Sequence, residues 1–338
     1  MSWEIHSIGE FKRFSHEWDT LNVLSGSSPL LDSRFVVPLL DVFGTGRESI
    51  AICRDSKGLC ALTIIAKNRH GYWETFQPSQ APLGCWIQRP GSSTEQLTTT
   101  LRKALPGFTV MLGITQQDPD ILPRPTTSEA LSTLDYIKTA RIPVNGSFEE
   151  YWAARGKNLR QNLRRQRNRL GRENVQATLT VLKDAEQMHN AVQAYGELES
   201  AGWKAGQHTA IHINNDQGRF YKLMLAKFAE TEQALVFQYY YNNALVATDL
   251  CIVGGGSLVI LKTTYNEEIT TSSPAMLMRE ESFAVIFEKH LATRIEFYGK
   301  LMDWHKRWAE EIRTLYHVNV WSLAGRIVNT IRTRLPSQ

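Results

Sequence analysis

Hydrophobic positions recur along this 338-residue chain with two periods, and the switches between them mark its elements. Near the start, Phe11, Phe14, Trp18 and Leu21 fall at helical spacing behind a short strand or loop. Ser27-Ser28-Pro29 introduces a second helical pattern over 30–42. Strands follow at 49–53 and 59–67, joined by the turn formers Asp55-Ser56-Lys57-Gly58. A breaker-rich loop over 76–84 ends at Trp86, and then come a short helix at 97–105, a buried strand at 108–113 and a strand at 133–143. Asn145-Gly146 interrupts the pattern, and Ser147 with Glu150 forms a capping box that opens the next helix.

Helix 155–172 has only a narrow apolar stripe, Leu159, Leu163 and Leu170, with Arg or Lys over much of the remainder. A strand at 175–182 and helices at 185–198 and 220–229 lead to a three-strand meander over 235–241, 244–253 and 257–264. Helix 275–290, strand 293–298, helix 304–315 and a basic helix at 323–334 close the chain. The second half therefore reads β-α-α-β-β-β-α-β-α. The fold class expected is α+β, in two domains (1–145 and 146–338), each a mostly antiparallel mixed sheet flanked by helices; the length suits that division.

Composition narrows the class further. A hydrophobic fraction of 42%, with nine Trp and eleven Tyr, is that of a chain with a proper core. Cys53, Cys60, Cys85 and Cys251 form no C-x-x-C pair and read as reduced, buried thiols. No signal-peptide pattern and no apolar run of membrane length appears, so the expected location is cytoplasmic. A net charge of +4 argues against a general nucleic-acid binder, and any basic patch is local.

The densest candidate chemistry lies between Ser257 and Arg279. An apolar strand ends in Lys262-Thr263-Thr264-Tyr265, and Ser272-Ser273-Pro274 then starts an apolar helix whose first turn carries Ala275 and Met276. Ser273 suits a helix cap and Pro274 the first helical position. Free amides and the positive end of the dipole predict an anion cradle there, fit for the pyrophosphate of coenzyme A. Asp249 stands in an otherwise apolar strand, either paired with Lys262 or acting as a general base. Trp203-Lys204, flanked by glycines, suits a clamp on an anionic group. Asp303 fits a helix cap, Trp304 packs with Trp308, and Arg307 is within reach of an anionic ligand. The Arg-rich helix, Arg164 included, offers cations to coenzyme A phosphates, an acidic acyl carrier protein, an aminoacyl-tRNA or an anionic membrane surface.

Several of these segments occur in one family's order: 148–152 (FEEYW), 199–204 (ESAGWK), 261–268 (LKTTYNEE), 272–278 (SSPAMLM) and 302–308 (MDWHKRW). The chain resembles CelD/BcsL-type acyltransferases of the GNAT superfamily, themselves similar to the FemAB group with paired GNAT-like domains. It departs from that pattern at Asn266, where the family tends to have Asp, and at Ala275, where it tends to have Gly. The resemblance implies transfer of an acyl group from acyl-CoA (acetyl-CoA) to an amine, on a small-molecule or glycan-precursor acceptor of the cell envelope. Alternative donors are acyl carrier protein and aminoacyl-tRNA, and an inactive binding module is a further alternative. Under this reading Glu267 or Glu268 beside Tyr265, or else Asp249, is the base, Lys262 steadies the oxyanion, and Tyr265 protonates the leaving sulfur. Ser272, Ser273, Ala275, Met276 and Arg164 hold the donor, while Trp203, Lys204, Asp303, Trp304 and Arg307 meet the acceptor. No metal is expected.

Overall fold

The first strand, β1 (Ser2–Ser7), leads into α1 (Phe11–Leu24), whose Phe11, Phe14, Trp18 and Leu21 are all buried. The structure, a computed structural model, describes residues 1–201, 211, 212 and 214–325. After α1 come α2 (Ser33–Phe43), β2 (Ser49–Asp55), β3 (Gly58–Arg69), β4 (Tyr72–Thr75), β5 (Trp86–Gln88), α3 (Thr94–Ala104), β6 (Met111–Gln117) and β7 (Leu131–Pro143). The second half contains α4 (Phe148–Ala153), α5 (Lys157–Arg172), β8 (Ala177–Leu182), α6 (Ala185–Ser200) and α7 (Asp216–Ala229). It continues with β9 (Ala234–Tyr241), β10 (Ala244–Gly254), β11 (Ser257–Tyr265), α8 (Pro274–Glu288), β12 (Arg294–Phe297), α9 (His305–Trp308) and β13 (Glu311–Trp321).

These elements form two compact units, Met1–Lys138 with Arg313–Gln338, and Thr139–Ile312. In the first, strands lie in the order β1-β2-β3-β4-β6-β13, antiparallel except for the β4/β6 pair. In the second, the order is β8-β9-β10-β11-β12 followed by the end of β7, antiparallel except for β11/β12. Both units run strand, two helices, three antiparallel strands, helix, parallel strand. The α+β class read from the sequence is thus the fold.

One element differs from the reading. The helix expected over 304–315 is a single turn, α9, followed by the strand β13. Trp304, Trp308, Ile312 and Leu315 sit at helical intervals, yet Tyr316, Val318 and Val320 alternate with polar residues and are wholly buried. β13 pairs with β6, so the chain from Arg313 onward belongs to the first unit, and the second ends at Ile312 where the sequence carried it to residue 338. Most of the basic helix expected over 323–334 lies outside the described residues.

The second unit's core is built on α8. Leu277, Met278, Phe283, Ile286 and Phe287 are buried in one cluster with Leu235, Phe237, Tyr239, Ala247 and Cys251 of the sheet. A helix apolar on nearly all sides must be enclosed, and this one is. The capping box before α4 forms as expected: Ser147 accepts from the Glu150 amide, and Glu150 accepts from the Ser147 amide.

Candidate functional site

A β-bulge sets which side chains meet α8. Between β10 and β11 the register slips where Leu250 pairs Lys262 but Cys251 pairs Ile260. The extra residue reverses the parity of β11: Leu258 and Ile260 face the α8 side before the bulge, and Thr263 and Tyr265 face it afterwards. Lys262 is thereby turned to the other face, with its Nζ 6.0 Å from the ring centroid of Tyr221 on α7. The expected Lys262–Tyr265 group does not form. The strand partner of Asp249 is Thr263, not Lys262, so the Asp249–Lys262 pair does not form either.

On the α8 side, Thr263, Tyr265, Ser272, Met276, Arg279 and Trp304 line a cavity of about 670 Å³ with Ile269, Thr270, Ser273 and Ala275. Arg279 lies three and four residues beyond Met276 and Ala275, so helical spacing puts all three on one face. Its guanidinium sits 4.2 Å from the Trp304 ring centroid and donates a long 3.4 Å contact to Thr263 Oγ1. Asp249 is wholly buried across the strand pair from Thr263, and neither of its oxygens has a partner in strict hydrogen-bond geometry among the described residues. Burial raises the Asp249 pKa above the ordinary carboxylate range, against the pull of the Arg279 charge and of the Thr263 hydroxyl, which is near enough to donate to it. The Arg279 pKa is drawn down by its own burial, with Asp249 opposing.

His305 stacks on Trp304 at 3.6 Å between ring centroids, and its Nδ1 accepts the Met302 amide at 2.9 Å. Burial and the nearby Arg279 charge lower its pKa to about 4, so the ring is neutral at physiological pH. Sequence reasoning gave Thr263 and Arg279 no role. A cation in an apolar helix, one turn after Ala275 and Met276, is the signal for Arg279; for Thr263 the bulge would have had to be known.

A second cavity, about 540 Å³, adjoins the first at Ser273 and Met276 and is lined by Asn158, Asn162 and Gln166 of α5 with Lys306 and Arg307. Here the start of α8 departs from the expected open cradle. The Ser273 hydroxyl makes no capping bond, and its amide donates to Gln166 Oε1 at 2.8 Å. Pro274 has no N–H, and the Met276 and Leu277 amides bond to the Ser273 carbonyl. Only the Ala275 amide is left over among the described residues, so the cations and amides lining this cavity come mainly from side chains. The Ser272 hydroxyl bonds Tyr241 at 2.8 Å.

The remaining expected residues are dispersed. Glu267 is exposed and does not line the cavity. Asn266 serves the turn, its Oδ1 accepting the Glu268 amide at 2.9 Å. Arg164 lines a separate 490 Å³ cleft with Trp152, Lys157 and Arg160. Asp303 does not cap a helix: Trp304 holds that position, and Asp303 pairs with Lys306 at the surface. Trp304 meets Arg279, whereas Trp308 packs against Trp152 and Phe283. Trp203 and Lys204 lie outside the described residues.

Residues 157–310 match the family described as acetyltransferase (GNAT) domain, a stretch from α5 through α9. That match gives the second unit the class of a transferase. No curated protein matches the sequence. Among solved structures, the chain is similar to the C-terminal domain of a protein described as a lysylphosphatidylglycerol synthetase from Agrobacterium fabrum, at 12% identity and a TM-score of 0.58, covering 95% of each chain. It is similar to FemX at 11% identity and a TM-score of 0.55, covering 98% of this chain and 99% of that one. It is also similar to L-PGS from Bacillus licheniformis, at 14% identity and a TM-score of 0.50, covering 89% of this chain and 94% of that one. At such identities the likeness is one of fold, which is GNAT-like and FemX-like. Among the described residues no helix is long and apolar enough to cross a membrane.

Proposed function

We propose that the second unit is an N-acyltransferase that moves an acyl group from a coenzyme A thioester to an amine. The observation that carries this reading is the meeting of two unlike cavities at Ser273 and Met276. One is edged by Lys306, Arg307, Asn158 and Asn162, donors suited to the phosphates of a coenzyme. The other is largely apolar, with Thr263, Tyr265 and Arg279 as polar groups and the buried Asp249 across the strand pair from Thr263. A thioester lying in the first would present its carbonyl at Met276 to an amine held in the second.

In this reading the amine attacks the thioester carbonyl, a C–N bond forms, and the C–S bond breaks. The proton leaving the amine passes by way of the Thr263 hydroxyl to Asp249, whose raised pKa suits a proton acceptor. Tyr265, at the cavity wall, gives the departing thiolate its proton. Lys262 and Glu267 have no part. The CelD/BcsL-type resemblance adds an acceptor from cell-envelope polysaccharide or lipid-precursor synthesis, made at the cytoplasmic side.

The test is calorimetric titration with coenzyme A at several salt concentrations, followed by turnover of the donor so found. Coenzyme A binding that weakens with Lys306→Ala and Arg307→Ala together is the expected result. Turnover should fall about a hundredfold in Asp249→Asn, the ordinary scale for losing a general base. Absent coenzyme A binding, with steeply salt-dependent binding of acyl carrier protein or aminoacyl-tRNA, would transfer the donor role to the macromolecule and to the α5 cleft of Lys157, Arg160 and Arg164.

A further inference from the structure

Among the described residues, several deeply placed arginines are ion-paired. Arg155 pairs with Glu310, and Arg313 pairs with Asp118, each with a side chain only 9% exposed. Arg167, less deeply placed, holds both Glu280 and Glu281. Arg279 is 3% exposed and has no carboxylate within salt-bridge distance among the described residues. Its Nε is buried without a partner, and its other contacts are the weak ones to Thr263 Oγ1 and to the Met276 sulfur at 3.9 Å. A guanidinium is a planar fork whose edge binds two oxygens side by side, and Trp304 occupies one of its faces without competing for that edge. Desolvating such a group and leaving its donors idle is costly in a finished fold, and acceptable where a ligand completes it. The wall available to the rest of that ligand is apolar, from Ile269, Met276 and Trp304.

We infer that the 670 Å³ cavity takes a substrate bearing a carboxylate, which Arg279 binds through its guanidinium edge while an apolar body lies along Trp304 and Met276. The inference rests on the assignment of this cavity to the acyl-transfer site and names the class of molecule it admits. The carboxylate belongs either to the acceptor, as in an amino acid acylated on its amine, or to the acyl group, as in the monothioester of a dicarboxylic acid. Asp249 acts on Arg279 through its charge but makes no ion pair with it among the described residues.

Calorimetry on the full chain with two matched pairs, phenylalanine against phenylalaninamide and glutarate against glutaramide, tests this and separates the two sources. One acid is expected to bind at least tenfold more tightly than its amide; the first pair marks the acceptor, the second the acyl group. Arg279→Gln should abolish that preference and Arg279→Lys should keep only part of it. If neither acid is preferred over its amide, or if the preference survives Arg279→Gln, the inference is overturned. Should both variants fail to fold, the acid-to-amide comparison on the unaltered protein decides alone. Coenzyme A is titrated in the same samples. Retained coenzyme A binding without acid preference sinks only this inference, and acid preference without coenzyme A binding sinks only the donor assignment.

Discussion

The side chain at position 263, not the one before it, reaches the cavity, and a single inserted residue decides this. Period-two alternation from Leu258 would send Lys262 toward α8, and the slip opposite Leu250 sends Thr263 there instead. Nothing in a run of apolar and polar letters announces a bulge of this kind, so the grouping of Lys262 with Tyr265 was legible only as adjacency. Thr263→Val is therefore expected to lower turnover at least tenfold while Lys262→Met leaves it within about twofold, an outcome checked on the donor identified by titration. His305 offers a second expectation. Its folded pKa is lowered to about 4 from an ordinary value of 6.5, so the unfolded chain takes up a proton first as pH falls. Stability from this group is intact above pH 6.5 and is lost between pH 6.5 and 4, by no more than about 3 kcal/mol. Denaturant midpoints at pH 7.5 and 4.5 should differ less in His305→Gln than in the unaltered protein. An equal difference in the two proteins would show that the ring titrates freely.

At the level of elements, α8 was readable and its first turn was not. Pro274 and the apolar run that follows mark a buried helix from residue 274, and the structure starts it there. What satisfies its start comes from 107 positions away, since the Ser273 amide bonds Gln166 of α5. A local motif such as Ser147 with Glu150 can be read in sequence because both partners lie within one turn; a cap supplied by another helix cannot. The two cases make opposite predictions. Ser147→Ala should cost about 1 kcal/mol in chemical denaturation, as the loss of an N-cap usually does. Gln166→Ala should instead act at the site, exposing the Ser273 amide to faster hydrogen exchange, with little change in the denaturant midpoint. Equal loss of stability in both variants would mean that Gln166 is an ordinary structural cap.

For the whole molecule, the mixture of strands and helices in each half was visible in sequence. The repeat of their order entered only through the resemblance to paired GNAT-like domains, since β4 left no separate strand pattern. Ownership of β13 was not visible, since Trp304, Trp308, Ile312 and Leu315 continue a helical period straight into it. Only long-range pairing shows that Tyr316, Val318 and Val320 complete the first unit's sheet beside β6. The same strand carries Arg313, whose guanidinium holds Asp118 through bonds of 2.7–3.0 Å, with both groups buried. Removing one member of a buried, hydrogen-bonded pair leaves the other charge uncompensated, which costs on the order of 3–5 kcal/mol. Asp120, at 3.7 Å from the same guanidinium, would soften that loss. Asp118→Asn is thus expected to destabilise the first unit by about 3 kcal/mol. Hydrogen exchange resolves where the effect falls: protection should drop in Met111–Gln117 and its strand neighbours, while α8 and β11 keep theirs. Exchange that rises equally in both units would show that the two unfold as one, and that the chain's return through β13 ties their stabilities together.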